Sequence, residues 1–246
     1  MVNDVDIEQG KKPLYVRSPW IDSFFPIMDE LGEAHDSLDF INNKKERRII
    51  KTHLPLEFLP KNILEKCKVV YVARNPKDVA VSYYHHQKNI PLCGFRGSFQ
   101  DFMDLFMDGQ IHYGSFWNHI LGAWNKRNHT NMKFLWYEDM KADQMKVIEE
   151  LCTFLEHPLT DEQKTILIEH VQFENMRTNP FSSPIPSCVL DQSKFFRKGL
   201  VGDWKNYFDK SGVEWKNGIL GFKVISIKTF IIFSKKISKI FTHDIR

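Results

Sequence analysis

Apolar residues along this chain recur at two different periods, which predicts strands and helices in alternation. The continuous apolar run 68–74 is typical of a strand that is buried on both faces. Shorter apolar runs at 47–53 and 132–137 predict two further strands. Elsewhere apolar residues return every three or four positions, the period of an amphipathic helix, within 99–106, 117–124 and 148–155.

Signals at the ends of these stretches set the helix boundaries. Pro76 suits the first turn of a helix that runs to about Lys88, and Ser98 is a candidate N-cap for the next one. Thr160 and Gln163 form a capping box that begins another helix. Strands that alternate with helices predict an α/β fold with a central, mainly parallel sheet flanked by helices.

Composition adds a packed core and a change near the end of the chain. Of the 246 residues, 42% are hydrophobic, which excludes a mainly disordered chain. The net charge of 34 − 31 = +3 is unevenly spread, because residues 215–246 hold seven basic residues and one acidic residue, and the rest carries 27 − 30 = −3. An acidic body argues against a nucleic-acid partner. We therefore divide the chain into a body, 1–208, and a basic, isoleucine-rich tail, 209–246.

The cysteines and the termini bear on the compartment. None of the four cysteines has CxxC spacing and the acidic N-terminus does not resemble a leader, which favours the cytoplasm. No apolar run reaches the roughly 18–20 residues that a membrane span needs. An alternative for the tail is a helix that contacts a membrane surface through one apolar face, which lies beside lysines. That face would consist of Phe230, Phe233, Ile237, Ile240 and Phe241.

Charged and titratable side chains follow each predicted strand. Lys51 and His53 close the first strand, Arg74 closes the second, and Tyr137 closes the third. Ligands of parallel α/β sheets bind beyond the carboxyl ends of the strands, so these residues predict a crevice for an anionic, nucleotide-like ligand. The alternative is that each residue only ends a strand and faces solvent.

Two further positions are candidates for the same anion. Ser82 lies eight residues after Arg74 on the following helix, and Arg197-Lys198-Gly199 places two cations beside a glycine that lets the backbone approach a phosphate. Solvated helix and turn positions are the alternative for both. No metal is predicted, because the spacing and partner ligands of a metal site are missing around His85, His86, His112 and His119.

Four separated motifs occur in a distinctive order. They are Ile50-Lys51-Thr52-His53-Leu54-Pro55, Val72-Ala73-Arg74-Asn75-Pro76-Lys77-Asp78, Tyr137-Glu138-Asp139-Met140 and Phe196-Arg197-Lys198-Gly199-Leu200-Val201-Gly202-Asp203-Trp204. A Tyr113-Gly114-Ser115-Phe116-Trp117 segment lies between them. Together these motifs resemble the cytosolic sulfotransferases, which use 3′-phosphoadenosine 5′-phosphosulfate (PAPS) as donor, and the likeness covers most of the body.

The resemblance implies a P-loop-NTPase-like α/β fold and transfer of a sulfuryl group from PAPS to a small phenol, alcohol or amine. It implies that His53 is the catalytic base and that Lys51 helps to neutralise the moving sulfonate. It also implies contacts to the 3′-phosphate from Arg74, Ser82, Arg197, Lys198 and Gly199, and positions beside the adenine for Tyr137 and Phe173. The resemblance implies no metal, and it leaves open whether the chain forms a homodimer.

An apolar acceptor pocket has six candidate residues. The last three of them also suit an ordinary core position, which we favour for the last two. They are Phe24, Phe25, Phe95, Phe99, Phe102 and Phe106.

The chain departs from the family pattern at both ends. The family's first core strand ends in a phosphate loop of the Pro-Lys-Ser-Gly-Thr-Thr-Trp type, which the 246 residues do not contain, and from about Asp209 the likeness stops. We therefore expect a truncated domain without its first core strand, inactive in sulfation as given. The alternative is a non-catalytic, sulfotransferase-like fragment that binds nucleotide weakly or pairs with a full-length chain.

Overall fold

The structure of this chain is a computed structural model. It describes residues 10–23, 26–28, 33–44, 47–182, 192–211 and 228–233. Phe24 and Phe25, two of the acceptor-pocket candidates, lie outside the described residues. Within the described ranges the chain forms the α/β unit that the alternating periods predicted.

A four-stranded sheet forms the centre of this unit. Its strands run in the order β3-β6-β4-β5, and a separate antiparallel pair is formed by β1 and β2. The strands are β1 Ile27–Met28, β2 Ala34–His35, β3 Arg48–Thr52, β4 Lys68–Ala73, β5 Met132–Trp136 and β6 Lys228–Phe233. The three predicted strands are thus confirmed as β3, β4 and β5.

Twelve α-helices accompany the strands in the described ranges. They are α1 Leu14–Arg17, α2 Ser37–Asn43, α3 Ile63–Lys66, α4 Pro76–Asn89, α5 Phe99–Met107, α6 Phe116–Asn125, α7 Tyr137–Ala142, α8 Gln144–Leu155, α9 Asp161–His170, α10 Phe173–Thr178, α11 Gln192–Phe195 and α12 Lys205–Ser211. Short 3₁₀ turns occur at Leu56–Phe58, Pro91–Cys93 and Pro180–Ser182. None of these helices combines the length and the apolarity that crossing a bilayer requires.

The predicted helix starts are confirmed, because each is fixed by local hydrogen bonds. Ser98 and Thr160 both complete capping boxes, at the starts of α5 and α9. The side chain of Asn75 accepts a hydrogen bond from the Lys77 amide, with Pro76 in the first turn of α4. Each cap satisfies backbone amides that have no partner inside the helix.

The tail contributes a strand to the middle of the sheet. Strand β6 pairs antiparallel with both β3 and β4, so that Ile231 lies opposite Ile50 on one side and opposite Val69 on the other. Strands β4 and β5 pair in parallel. Because β6 opposes both of its neighbours, β3, β4 and β5 share one direction, and their carboxyl ends meet at one edge of the sheet as predicted.

The helical interpretation of the tail is wrong for Phe230 and Phe233, which both lie in β6. The physical reason is that aromatic and β-branched residues suit a pleated strand, and that pairing gives the facing edges of β3 and β4 hydrogen-bond partners. The other members of that proposed helical face, Ile237, Ile240 and Phe241, lie outside the described residues.

The core lies on both faces of β4, as its continuous apolar run predicted. Val69 and Tyr71 are fully buried on one face, in a cluster that includes Phe106. On the other face Val70 packs with Leu135 and with apolar residues of α8. Of the acceptor-pocket candidates, Phe102 and Phe106 belong to this core, whereas Phe95 and Phe99 are partly buried and pack against it.

Candidate active site

The site has a base side, which we define as His53 with the residues packed around it. A parallel bridge between Trp20 and Lys51 aligns the segment before β1 with β3, through hydrogen bonds from Ile21 N to Lys51 O and from Lys51 N to Pro19 O. This register brings Asp22 level with His53, although the two residues are 31 positions apart. The bridge therefore places a carboxyl group beside the predicted base.

Asp22 meets His53 at two points. The His53 amide lies 3.1 Å from Asp22 Oδ1, and the ring atom Nδ1 lies 2.9 Å from Oδ2. Burial alone would raise the pKa of the Asp22 carboxyl, but hydrogen bonds and charge from His53, with a hydrogen bond from Thr52, lower it to about 2. Asp22 is therefore an ionised, buried acceptor at neutral pH.

Aromatic rings enclose the His53 imidazole. The Tyr113 ring stacks on it at a centroid separation of 5.1 Å, and the Trp20 ring meets it edge-on at the same separation. Tyr113 has a φ of 73°, in the left-handed region that non-glycine residues rarely adopt, which is typical of residues held in place at functional sites. The Lys51 ammonium lies 3.8 Å from the Trp20 ring centroid.

His119 anchors the base side from α6. Its Nε2 lies 2.9 Å from the His53 carbonyl oxygen, and its Nδ1 lies 2.9 Å from the Tyr71 hydroxyl. Burial lowers the pKa of His119 to about 4, so the ring is neutral at pH 7. Because a carbonyl only accepts, Nε2–H donates to His53, and Nδ1 accepts from Tyr71.

The anion side is the second half of the site, which we define as Arg74, Tyr137, Phe173 and the loop 197–204. Arg74 follows β4, where its Nη2 donates to the Leu200 carbonyl over 2.7 Å and its guanidinium lies 4.4 Å from the Tyr137 ring centroid. The Tyr137 hydroxyl donates to the Gly199 carbonyl over 3.1 Å. Two of the seven predicted nucleotide-binding residues thus contact the loop that carries three others.

Two aspartates hold this loop. Asp203 accepts from Arg197 Nη1 over 2.6 Å and from Lys198 Nζ over 2.8 Å. Burial would raise the pKa of Asp203, but hydrogen bonds from Lys198, Arg197 and a nearby amide side chain lower it to about 2. Asp78 on α4 accepts from the amides of Gly202 and Trp204 over 2.7 and 3.0 Å. The loop is therefore tied to the helix that follows Arg74.

Gly199 and Phe173 touch so closely that no side chain fits between them. Gly199 has a φ of 65°, and a Cβ on it would lie 2.2 Å from Phe173 Cδ2. Ser82 is partly buried on α4, one helical turn beyond Asp78 and on the same helix face. The structure thus gathers the predicted nucleotide-binding residues other than Ser82 around one loop.

Two guanidinium donors of the anion side have no acceptor in the part of the chain that the structure describes. Arg74 Nε and Arg197 Nε are both buried, and neither finds a hydrogen-bond partner among the described residues. A buried donor without a partner costs about 1–3 kcal/mol, and a charged one costs more. An anionic group that accepts from both arginines would recover this cost, so the residues present fit a phosphate.

A cavity of about 340 Å³ lies close to the base side. Phe95, Phe102 and His112 line it, and the His112 ring stacks on Tyr113 with centroids 4.4 Å apart. Because Tyr113 in turn stacks on His53, two rings connect the cavity wall to the predicted base. The part of the chain that the structure describes holds no group of three or more His, Cys, Asp or Glu side chains suited to a metal ion.

Sequence reasoning missed the three aspartates of the site. Asp78 carries a signal, because its spacing of four residues from Arg74 allows the 3.8 Å ion pair that the structure shows. Asp203 lies within the fourth of the recognised motifs, but the sequence alone does not show that it is the partner of Arg197. Asp22 has no local signal, since its contact with His53 depends on the bridge to β3.

Comparisons with known proteins agree with this architecture. A family model described as "Sulfotransferase domain" matches residues 1–216. Sulfotransferase 1B1 of Canis lupus familiaris is 38% identical over 214 residues, which are 85% of this chain and 71% of that protein. Sulfotransferase 1A1 of Mus musculus is 38% identical over 204 residues, which are 81% of this chain and 68% of that protein.

Solved structures give the same result. Retinol dehydratase in a complex with retinol and PAP matches with a TM-score of 0.75 and 31% identity, over 85% of this chain and 70% of that one. Mouse sulfotransferase SULT7A1 complexed with PAP matches with a TM-score of 0.65 and 33% identity, over 72% of this chain and 67% of that one. The comparisons confirm the fold class that the sequence predicted.

Proposed function

Because this chain belongs to the cytosolic sulfotransferase family, a family of enzymes, we propose that its anion side binds a 3′-phosphoadenosine nucleotide. The observation that carries this proposal is the pair of buried arginine donors, Arg74 Nε and Arg197 Nε, that have no acceptor among the described residues. A phosphate monoester offers several oxygens, and guanidinium groups suit it because they donate in a fixed fork. Solved relatives that contain PAP support the choice of ligand.

In this proposal the residues of the anion side and Ser82 divide between the 3′-phosphate and the adenine. Arg74, Arg197, Lys198 and Ser82 bind the 3′-phosphate, and Gly199 lets the backbone approach it. Tyr137 and Phe173 lie beside the adenine, since both rings already contact Arg74 or Gly199.

The base side would serve the family reaction, the transfer of a sulfuryl group from PAPS to a small acceptor. His53 accepts the proton of the acceptor hydroxyl or amine, a task that suits an imidazole near neutral pH. Lys51 helps to neutralise the negative charge of the transferred group. The partly aromatic cavity beside His112 supports an apolar acceptor, and one relative, retinol dehydratase, crystallised with androsterone and with retinol, supports the class of small apolar alcohols.

A second candidate is nucleotide binding without turnover. The observation that favours it is that the 246 residues contain no phosphate-loop motif of the Pro-Lys-Ser-Gly-Thr-Thr-Trp type. The lysine of that motif would stabilise the negative charge on the leaving group. We therefore propose that residues 1–246 bind the nucleotide but do not catalyse transfer by themselves. The cytoplasm remains our proposal for the compartment, supported by the free thiols of Cys67, Cys93 and Cys152.

One experiment tests both statements. Purified chain 1–246 is checked for folding by circular dichroism, then titrated with PAP and assayed with radiolabelled PAPS and a panel of phenols and alcohols. We expect PAP to bind and transfer to stay at the level of the blank. Failure to bind PAP would overturn the nucleotide site. Clear transfer would overturn the second candidate and favour an active enzyme, in which His53→Ala should lower kcat by about 100-fold or more.

A further inference from the structure

The geometry points to Asp22 as the positioning residue that holds the His53 ring in the Nδ1–H tautomer, with the basic lone pair on Nε2. This inference rests on the proposed function only where it treats His53 as the base. The tautomer itself is a property of the protein alone, and it can be measured without nucleotide or acceptor.

The tautomer follows from the number of donors and acceptors. Two atoms of His53, the amide N and ring Nδ1, face the two oxygens of Asp22 over 3.1 and 2.9 Å. An ionised carboxylate accepts hydrogen bonds and donates none. In the neutral ring Nδ1 must therefore carry the proton, which leaves Nε2 as the ring's basic nitrogen.

The surroundings keep Asp22 ionised and fixed. The Asp22 side chain is 7% exposed, against 22% for His53. Hydrogen bonds also reach it from the side chains of Thr52 and Tyr113. Burial and the nearby Asp22 charge raise the pKa of Tyr113, so its hydroxyl keeps its proton and stays a donor. Asp22 is thus surrounded by donors on the base side.

The backbone of His53 is held as firmly as its ring. Its amide donates to Asp22, and its carbonyl accepts from neutral His119 on α6. The Trp20 and Tyr113 rings pack against the imidazole, and the Lys51 ammonium packs on Trp20. With the residue anchored on every side, the Asp22 contact decides which ring nitrogen is protonated.

This arrangement is useful for proton transfer. A base that takes the acceptor proton at Nε2 becomes an imidazolium, and a carboxylate on Nδ1–H both orients the ring and stabilises that positive charge. Without the carboxylate, the neutral ring would also populate the tautomer with a protonated Nε2, which accepts no proton. Asp22 therefore determines whether His53 acts as a base.

Asp22→Asn separates this role from simple packing. The asparagine side chain has nearly the same shape but one acceptor in place of two. If its oxygen accepts from the His53 amide, its NH₂ group points at Nδ1, which must then accept. The variant should therefore convert the ring to the Nε2–H tautomer, an effect that packing alone does not produce.

The test is nitrogen-15 NMR of the histidine rings in the intact chain, at a pH where imidazoles are neutral. The His53 signals are assigned by their loss in His53→Gln. We expect Nδ1 protonated in the unsubstituted chain, Nε2 protonated in Asp22→Asn, and no change in Tyr113→Phe. Asp36→Asn is the matched control, because Asp36 accepts from two backbone amides at the start of α2.

Either of two results would overturn the inference. One is an Nε2–H ring in the unsubstituted chain, and the other is an unchanged tautomer in a folded Asp22→Asn variant. If that variant does not fold, the measurement on the unsubstituted chain still tests the inference, because it identifies the tautomer without any variant. PAP titration separates this inference from the proposed function, since Asp22→Asn should change PAP affinity by less than about twofold whichever tautomer is found.

Discussion

The base side and the anion side of the site differ in how their charges are matched. On the base side, the Asp22 carboxylate and the two histidines find partners in one another, in the protein backbone and in neutral hydroxyl groups such as that of Tyr71. On the anion side, three cations, Arg74, Arg197 and Lys198, share two carboxylates, and two arginine donors remain without an acceptor among the described residues. The difference agrees with our proposals that the first region fixes the position of a proton and that the second binds a negatively charged group.

Strand β6 connects these two regions. Strand β3 leads into His53 and β4 leads into Arg74, and β6 lies between them with hydrogen bonds to both. In the described sheet, β3 and β4 pair with β6 and not with each other. The spacing between the base side and the anion side therefore depends on a strand that comes from the tail.

The largest expected effect comes from breaking this connection. Ile231→Pro removes an amide from the middle of β6, where its neighbours lie on both sides. Proline in a central strand should lower the free energy of unfolding by about 3 kcal/mol or more, measured by denaturant unfolding. Ile231→Val keeps the amide and the branched side chain, so it is the control. Equal stability of the two variants would contradict the central position of β6.

A smaller effect is expected from the loop of the anion side. Gly199→Ala forces a Cβ to 2.2 Å from the Phe173 ring, whereas Gly202→Ala, with a φ of 85°, meets nothing within 4 Å. Both substitutions strain the backbone, so the two variants differ only in the steric overlap of the new Cβ with the Phe173 ring. We expect Gly199→Ala to lower the free energy of unfolding by roughly 1–3 kcal/mol more than Gly202→Ala. Equal losses in the two variants would show that Phe173 does not pack on Gly199.

The base side should make stability depend on pH. Burial lowers the pKa of His119 from 6.5 to about 4, so between these values the unfolded chain binds a proton that the folded chain does not. The free energy of unfolding should therefore decrease as the pH falls from 6.5 to 4, by roughly 1.4 kcal/mol per pH unit from this residue.

His119→Gln removes this contribution, and unfolding experiments at several pH values measure the change in slope. Part of the slope should remain, because burial and Arg197 also lower the pKa of His85 on α4 to about 4. His129→Gln, at an exposed position, is the control. A slope that is unchanged in His119→Gln would mean that His119 is not buried in its neutral form.

Local signals explain why so much of the body could be predicted. Capping residues such as Ser98 and Thr160 act within one helical turn, and the apolar run of β4 reflects burial on both faces. The predicted site residues come together because parallel strands end at one edge of a sheet. That rule needs no knowledge of the packing, so Lys51, His53, Arg74 and Tyr137 could be found from their places in the chain.

The missed features depend on contacts between distant parts of the chain. Asp22 reaches His53 through a bridge between segments about 30 residues apart, and no spacing rule covers such a pair. The apolar residues of β6 fit a helical face or a strand equally well when they are considered alone. Only the paired edges of β3 and β4 decide between the two, and these edges exist once the body has folded.

The central claim, that the anion side receives a 3′-phosphate, is tested most directly by calorimetric titration with PAP and with adenosine 5′-phosphate. Arg74→Ala and Arg197→Ala should each weaken PAP binding by roughly 1.5–3 kcal/mol, and leave adenosine 5′-phosphate binding nearly unchanged. Arg127→Ala is the matched control, because Arg127 also packs on an aromatic ring and donates to a backbone carbonyl, both of Trp124. Equal losses for both nucleotides, or no loss for PAP, would contradict the account.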